Sequence, residues 1–256
     1  MSLEIAFAAL VAVAIPPSAE PGEGLPATAP GQILVVGETH GSNEIPAYFL
    51  EQVRHMARSN FVTVGLELPG TSAQLRCTNR DWRRLPPGWT GEKQDGRTSR
   101  AMRALLCGLR DPSLARRVRV VYLDDLERGR DFDARAARRF LEASSGRHSH
   151  GLILTGNYHS RNNEGSLAWH LRQLGFDVRT VTVSSASAET WVCTGRPSSC
   201  GVRTSNINFC SGDPADARRT RWYSNPGPRF AWDFCLSLPA LTASPPALSP
   251  PASFRR

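Results

Sequence analysis

Short apolar runs rich in β-branched residues recur along the first two thirds of the chain, at residues 33–36, 61–66, 118–123, 151–155 and 176–183. Between them, apolar residues fall at three- and four-residue spacing. Residues 44–58 place Ile45, Phe49, Val53 and Met56 on one helical face. Residues 99–109, 131–143 and 164–174 repeat that pattern, the last closed by Gly175 in the helix-stop position. Asp131 or Asp133 is available to cap the helix that follows it. Strand runs alternating with helical stretches predict an α/β fold, with a mostly parallel sheet and crossover helices. Residues 71–97, with Trp82, Pro86, Pro87 and Trp89 among polar residues, show no period and read as an excursion over the carboxyl edge of the sheet.

After residue 184 the pattern changes. Residues 188–194, 201–210 and 229–236 read as short β segments joined by turns such as Gly195-Arg196-Pro197-Ser198. The expected organisation is a single α/β domain over 32–238, made of a core at 32–183 and a disulfide-clipped, β-rich extension at 184–238. Ahead of it, residues 5–15 form an apolar run of signal-peptide length followed by Pro16-Pro17-Ser18-Ala19, which predicts a signal peptide over 1–19 and a linker over 20–31. Its first four residues are atypical, with Glu4 and no basic residue. The Pro/Ala/Ser composition of 239–256 predicts a disordered tail.

The formal net charge is +8, and Lys93 is the only lysine. No stripe of basic residues interleaved with aromatics accompanies the arginines, and pairs such as Arg138-Arg139 read as solvated faces, so nucleic acid is not an expected partner. All six cysteines lie beyond the export segment. They predict disulfides and a periplasmic or secreted protein, with no stable membrane insertion once the signal is cleaved. No C-x-x-C pair favours zinc. Fifteen pairings are open, of which pairing between sequence neighbours (Cys77 with Cys107, Cys193 with Cys200, Cys210 with Cys235) would clip loops of little apolar content.

The first four strand runs share a further feature: each leads into acidic or imidazole residues. The first precedes Gly37-Glu38-Thr39-His40-Gly41, the second Glu67, the third Asp124-Asp125 and the fourth Gly156-Asn157-Tyr158-His159-Ser160-Arg161. In a parallel sheet all these ends lie on one rim, where clefts form. Glu38 and His40 are two apart in extended chain and can face one pocket. There the carboxylate either orients an imidazole that takes a proton from water, or joins it in holding a divalent metal; otherwise Glu38 caps the next helix and His40 packs. The spacing Gly37-x-x-His40 recurs as Gly156-x-x-His159. The candidate catalytic set is His40, Glu38, Glu67 and His159, with His40, Glu67 and His159 as the candidate metal ligands. Asn157, Tyr158, Arg161 and Asp124 are candidate substrate contacts. Glu67 could instead pair with Arg161, and Glu44 either favours the helix dipole or reaches the His40 ring. Ser42 and Ser160 lack a G-x-S-x-G context, and no phosphate-binding glycine loop is present.

Gly37-Glu38-Thr39-His40-Gly41 with Glu44, then Glu67, then Gly156-Asn157-Tyr158-His159, resembles the superfamily of erythromycin esterase-like, ChaN-like haem-binding and Tiki-type metalloprotease domains. The likeness covers residues 32–183. Its esterase-like members imply His40 as a metal-free general base, with Glu38 and Glu67 orienting and His159 assisting at the oxyanion or leaving group. Tiki-type members imply a divalent metal and peptide-bond hydrolysis, and ChaN-like members imply haem binding without catalysis, for which Tyr158 is the candidate axial ligand. The chain is much shorter than the esterases and lacks their helical insertion, which removes macrolides as an expected substrate. The leading expectation is an exported hydrolase acting on an ester or peptide bond of a small-molecule or peptide substrate. Haem or metal binding is the alternative, and a non-catalytic surface protein the third.

Overall fold

In a computed structural model the chain is described over residues 29–78, 85–86, 89, 95–124, 131–144, 149–193, 200–207, 210, 220–224 and 231–248. The expected signal peptide at 1–19, most of the expected linker, Trp82, Asp125 and the end of the expected tail lie outside these residues. The five apolar runs form strands β1 (Gln32–Glu38), β2 (Val62–Pro69), β3 (Val118–Asp124), β4 (His150–Gly156) and β5 (Asp177–Cys193). The periodic stretches form helices α1 (Glu44–Ala57), α2 (Arg100–Leu109), α3 (Phe132–Ala143) and α4 (Leu167–Gln173). Beyond them come β6 (Cys200–Ile207), β7 (Arg221–Ser224) and β8 (Phe234–Leu238).

All eight strands share one sheet, in the order β3-β2-β4-β1-β5-β8-β7, with β6 pairing β5. The β3-β2-β4-β1-β5-β8 run is parallel, and β6 and β7 add antiparallel edges. β2 and β4 are buried along their whole length, as expected of strands covered on both faces. One face packs Ile45, Phe49 and Val53 of α1 with Met102, Leu105 and Leu106 of α2. The other packs Ala136, Ala137 and Phe140 of α3 with Leu167, Ala168 and Leu171 of α4. β1 and β4 are neighbours, yet β1 leads through α1 on one face to β2, while β4 leads through α4 on the opposite face to β5. Their carboxyl ends are therefore a topological switch point, the place where α/β sheets bind ligands.

The extension departs from expectation in detail. Residues 188–194 do not begin a new strand: β5 continues unbroken to Cys193 and passes from β1 and β8 to β6. β7 has no apolar signature and was not expected. Disulfides join Cys77 to Cys107, Cys193 to Cys200 and Cys210 to Cys235, the sequence-local pairing. Three such bonds belong to an oxidising, extracytoplasmic compartment. Among the described residues no helix is long and apolar enough to cross a membrane.

In place of a disordered tail, residues 241–247 form a strap across the sheet's carboxyl side. Leu241 pairs with Ser187 and Glu189, Ser244 N donates to Gly41 O, and Ala247 N donates to Thr98 O. Leu241 and Ala247 are buried, and Glu44 accepts from the backbone and hydroxyl of Thr242. Extended proline-rich chain pairs through scattered single bonds, which leave no periodicity in a sequence.

Candidate active site

The carboxyl ends of β1, β2, β3 and β4 bring Glu38, His40, Glu67, Asp124 and His159 together. Glu67 is at the centre. It sits at an irregularity in β2, where two residues stand opposite one of β3, and such bulges re-aim side chains. Its Oε2 accepts from Thr155 Oγ1 at 2.6 Å and from Gly156 N at 2.7 Å. Its Oε1 is left facing both imidazoles, 3.9 Å from His40 Nε2 and 3.8 Å from His159 Nε2. Those separations are within ion-pair reach and longer than a direct hydrogen bond. Gly156 allows the approach, since a Cβ there would stand 3.0 Å from His40 Nε2.

Each imidazole has its own carboxylate behind it. His40 Nδ1 lies 2.9 Å from Glu38 Oε1, and His159 Nδ1 lies 2.9 and 3.1 Å from the two oxygens of Asp133. A carboxylate on Nδ1 fixes the tautomer and turns Nε2 toward Glu67. The two carboxylates on the β-strand side are buried, whereas the His40 and His159 side chains keep 20% and 25% exposure, enough to meet a substrate.

A cation completes the cluster. Arg97 Nη1 is 3.2 Å from Glu67 Oε1 and 3.5 Å from Asp124 Oδ2, and its Nη2 is 2.6 Å from Asp95 Oδ2. Its loop meets the motif turn backbone to backbone: Gly96 has φ +94°, and a Cβ there would lie 2.5 Å from Gly41 N, so only glycine fits.

The electrostatics follow from this packing. Burial alone would lower the His40 pKa, but the Glu38 hydrogen bond and charge, with Glu67 and Asp95, push it up to about 9. At neutral pH His40 is therefore an imidazolium. His159 is also raised: burial opposes the shift, while the Asp133 hydrogen bond and the charges of Glu67 and Asp133 produce it, and the His40 charge works against it. Glu67 would be raised by burial, yet His40, His159, Arg97 and the Gly156 N–H hold it below the usual carboxylate range. It is ionised.

Several expected roles change. Neither Asp131 nor Asp133 caps α3, and Asp133 serves His159 instead. Arg161 does not pair with Glu67, whose cation is Arg97. Glu44 holds the C-terminal strap through Thr242 rather than the His40 ring. Asn157 is committed to the fold: its Oδ1 accepts from Thr182 and its Nδ2 donates to Thr39. Ser160 Oγ is buried between Trp232 Nε1 and Asn157 O, which removes it as a nucleophile. Tyr158 stands out to solvent, with the Arg161 guanidinium over its ring. Sequence reasoning missed Asp95, Arg97, Asp133 and Trp232. Asp133 had the position of an ordinary helix-start acid, and Arg97 was one arginine in an aperiodic excursion.

The donors as placed do not fit a divalent metal. Atoms sharing one ion at about 2.1 Å lie about 3–3.4 Å apart, whereas the imidazole nitrogens stand wider from Glu67 Oε1, and that oxygen already accepts from Arg97. Among the described residues no three His, Cys, Asp or Glu side chains are grouped as metal ligands. For haem, Tyr158 has the exposure of an axial ligand, but the rings and guanidinium around it offer a polar, cationic setting rather than an apolar slot for a porphyrin.

No family model and no curated protein matches the sequence. The fold is similar to that of a succinoglycan biosynthesis protein, with 10% identity and a TM-score of 0.54 over 84% of this chain and 89% of that one. A Bacillus cereus protein gives 10% identity and a TM-score of 0.49 over 84% and 90% of the two chains. The type III effector HopBA1 gives 12% and 0.40 over 81% and 87%. The first likeness shows the α/β fold and, at that identity, nothing of activity.

Proposed function

We propose that the chain is an exported hydrolase that activates water with a pair of histidines, without a metal ion. One observation carries this reading: two part-exposed imidazoles, each backed by a carboxylate on Nδ1, aim Nε2 at the same ionised carboxylate oxygen. Their unequal surroundings divide the work. His40, held as an imidazolium to about pH 9, is the general acid that protonates the leaving group. His159, which the charge on His40 encourages to lose its proton first, is the base that takes a proton from the attacking water. Glu67 sits against both rings and balances whichever carries the charge. This reverses the assignment of His40 as base that the family resemblance implies. Hydrolysis of an ester or amide carbonyl needs this acid and base on either side of one reacting centre. An N-terminal signal peptide and release to the periplasm or exterior complete the reading, in line with the disulfides.

The test is turnover of an ester and peptide panel by His40→Gln and His159→Gln variants in the presence of a chelator. Each variant is expected to lose about 10²–10⁴-fold in kcat with its melting temperature within a few degrees of the parent. Parent activity abolished by the chelator, or full turnover in both variants, would overturn the reading.

A further inference from the structure

Beside His159 the loop after β4 presents an arginine of unusual status. The Arg161 guanidinium lies 5.1 Å from the Tyr158 ring centroid and 5.5 Å from that of Trp232. It makes no ion pair or side-chain hydrogen bond among the described residues, and its Nε is buried with no acceptor. The other cation of the site, Arg97, is by contrast engaged by three carboxylates.

The holder is built rather than incidental. Trp232 is fixed by donating from Nε1 to Ser160 Oγ at 2.8 Å. The residues on either side of Trp232 are tied to the same loop, with Asn162 N donating to Ala231 O at 2.7 Å and Asn162 Nδ2 donating to Asp233 Oδ1 at 3.0 Å. Ser166 Oγ donates to the Arg161 carbonyl at 2.6 Å. Aromatic faces hold a guanidinium by its plane and leave its N–H edge free for a planar or tetrahedral oxyanion. Tyr158, 72% exposed, forms the outer wall. The Tyr158 and His159 rings are 5.9 Å apart, so the guanidinium lies within about 11 Å of the imidazole.

We propose that Arg161 is an anion subsite of the hydrolytic site, and that the substrate carries a carboxylate or phosphate group a few bonds from its scissile bond. The substrate class rests on the hydrolase reading; the subsite itself does not. Arg161 Nη1 and Nη2, unlike Nε, are not buried and make no hydrogen bond among the described residues, so together they can take two oxygens of a carboxylate or phosphate.

The experiment compares 4-nitrophenyl acetate with the anionic mono-4-nitrophenyl succinate. The parent is expected to favour the anionic ester at least tenfold in kcat/KM. Arg161→Met should lower that ratio at least tenfold, and Arg161→Lys should restore part of it. A ratio near one in the parent, or one unchanged in Arg161→Met, overturns the subsite and leaves the hydrolase standing. Failure of the parent to turn over either ester bears on the hydrolase reading instead. In that case the ¹⁵Nε–¹H resonance of Arg161 is followed while inorganic phosphate or succinate is titrated in. A saturable shift of that resonance, assigned by its disappearance from Arg161→Met, supports the subsite and tells phosphate from carboxylate, and no shift with either anion overturns it.

Discussion

At the scale of single residues, the site is a chain of alternating charge: Glu38, His40, Glu67, His159 and Asp133, with Arg97 on the central acid. The pH dependence of the rate should therefore be bell-shaped, rising as His159 loses its proton and falling near pH 9 as His40 loses its own. Glu38→Gln removes the main support of the His40 proton, so the alkaline limb of kcat/KM should move to lower pH. Asp133→Asn should move the acid limb the same way. Limbs that stay in place would detach these acids from the imidazoles. The same proton affects stability. His40 is raised from 6.5 to about 9 on folding, so its contribution is complete below pH 6.5 and is lost as pH climbs through 9. The amount is on the order of 3 kcal/mol. Melting temperatures at pH 6 and pH 9.5 should differ clearly in the parent and much less in His40→Gln. Glu38, His40, Glu67 and His159 were legible as chemistry because each follows an apolar run. Asp133 and Arg97 were not, because a helix-start acid and a loop arginine have ordinary local explanations.

At the scale of elements, the strand ends alone do not hold the cluster. The strap at 241–247 bonds to Gly41, next to His40, and to Thr98, next to Arg97. Ser244 bridges the turn after β1 and the start of α2, since its N donates to Gly41 O while its Oγ accepts from Ala101 N. A chain ending at Leu238 should keep the far-ultraviolet signature of the sheet and helices. It loses burial of Leu241 and Ala247, worth about 2–4 kcal/mol, and should melt roughly 5–15 °C lower. Activity should fall more than a hundredfold, because His40 and Arg97 lose their shared support. Full activity in the truncated chain would show that the strap is dispensable to the site. Helix and strand positions were readable from periods of 3.6 residues and from β-branched runs. The strap was not, because its bonds go singly to distant backbone.

At the scale of the molecule, the margin beyond β5, where β8 runs parallel and β7 antiparallel, carries Trp232 to the site on the segment leading into β8. The bonds Cys210–Cys235 and Cys77–Cys107 close separations of 25 and 30 residues, each worth about 3–4 kcal/mol through the unfolded chain. Cys77 and Cys107 also fix the start of the excursion against α2, upstream of Arg97. Reductant should lower the melting temperature by more than 10 °C. Coincident melting curves with and without reductant would show that apolar packing alone holds the margin.

The sequence by itself determined the α/β class, the four crossover helices and the arrival of acids and imidazoles at one sheet edge, while the choice among the fifteen cysteine pairings fell to the tertiary structure. These are consequences of periodicity and of parallel topology, which are properties of neighbours along the chain. Only the tertiary structure decided that β1 and β4 are adjacent, that a bulge turns Glu67 to face two imidazoles, that Asp133 and Arg97 join them, and that the proline-rich end straps the site. Each of these depends on residues tens to hundreds of positions apart coming within a few ångströms, and a contact of that kind leaves no local pattern.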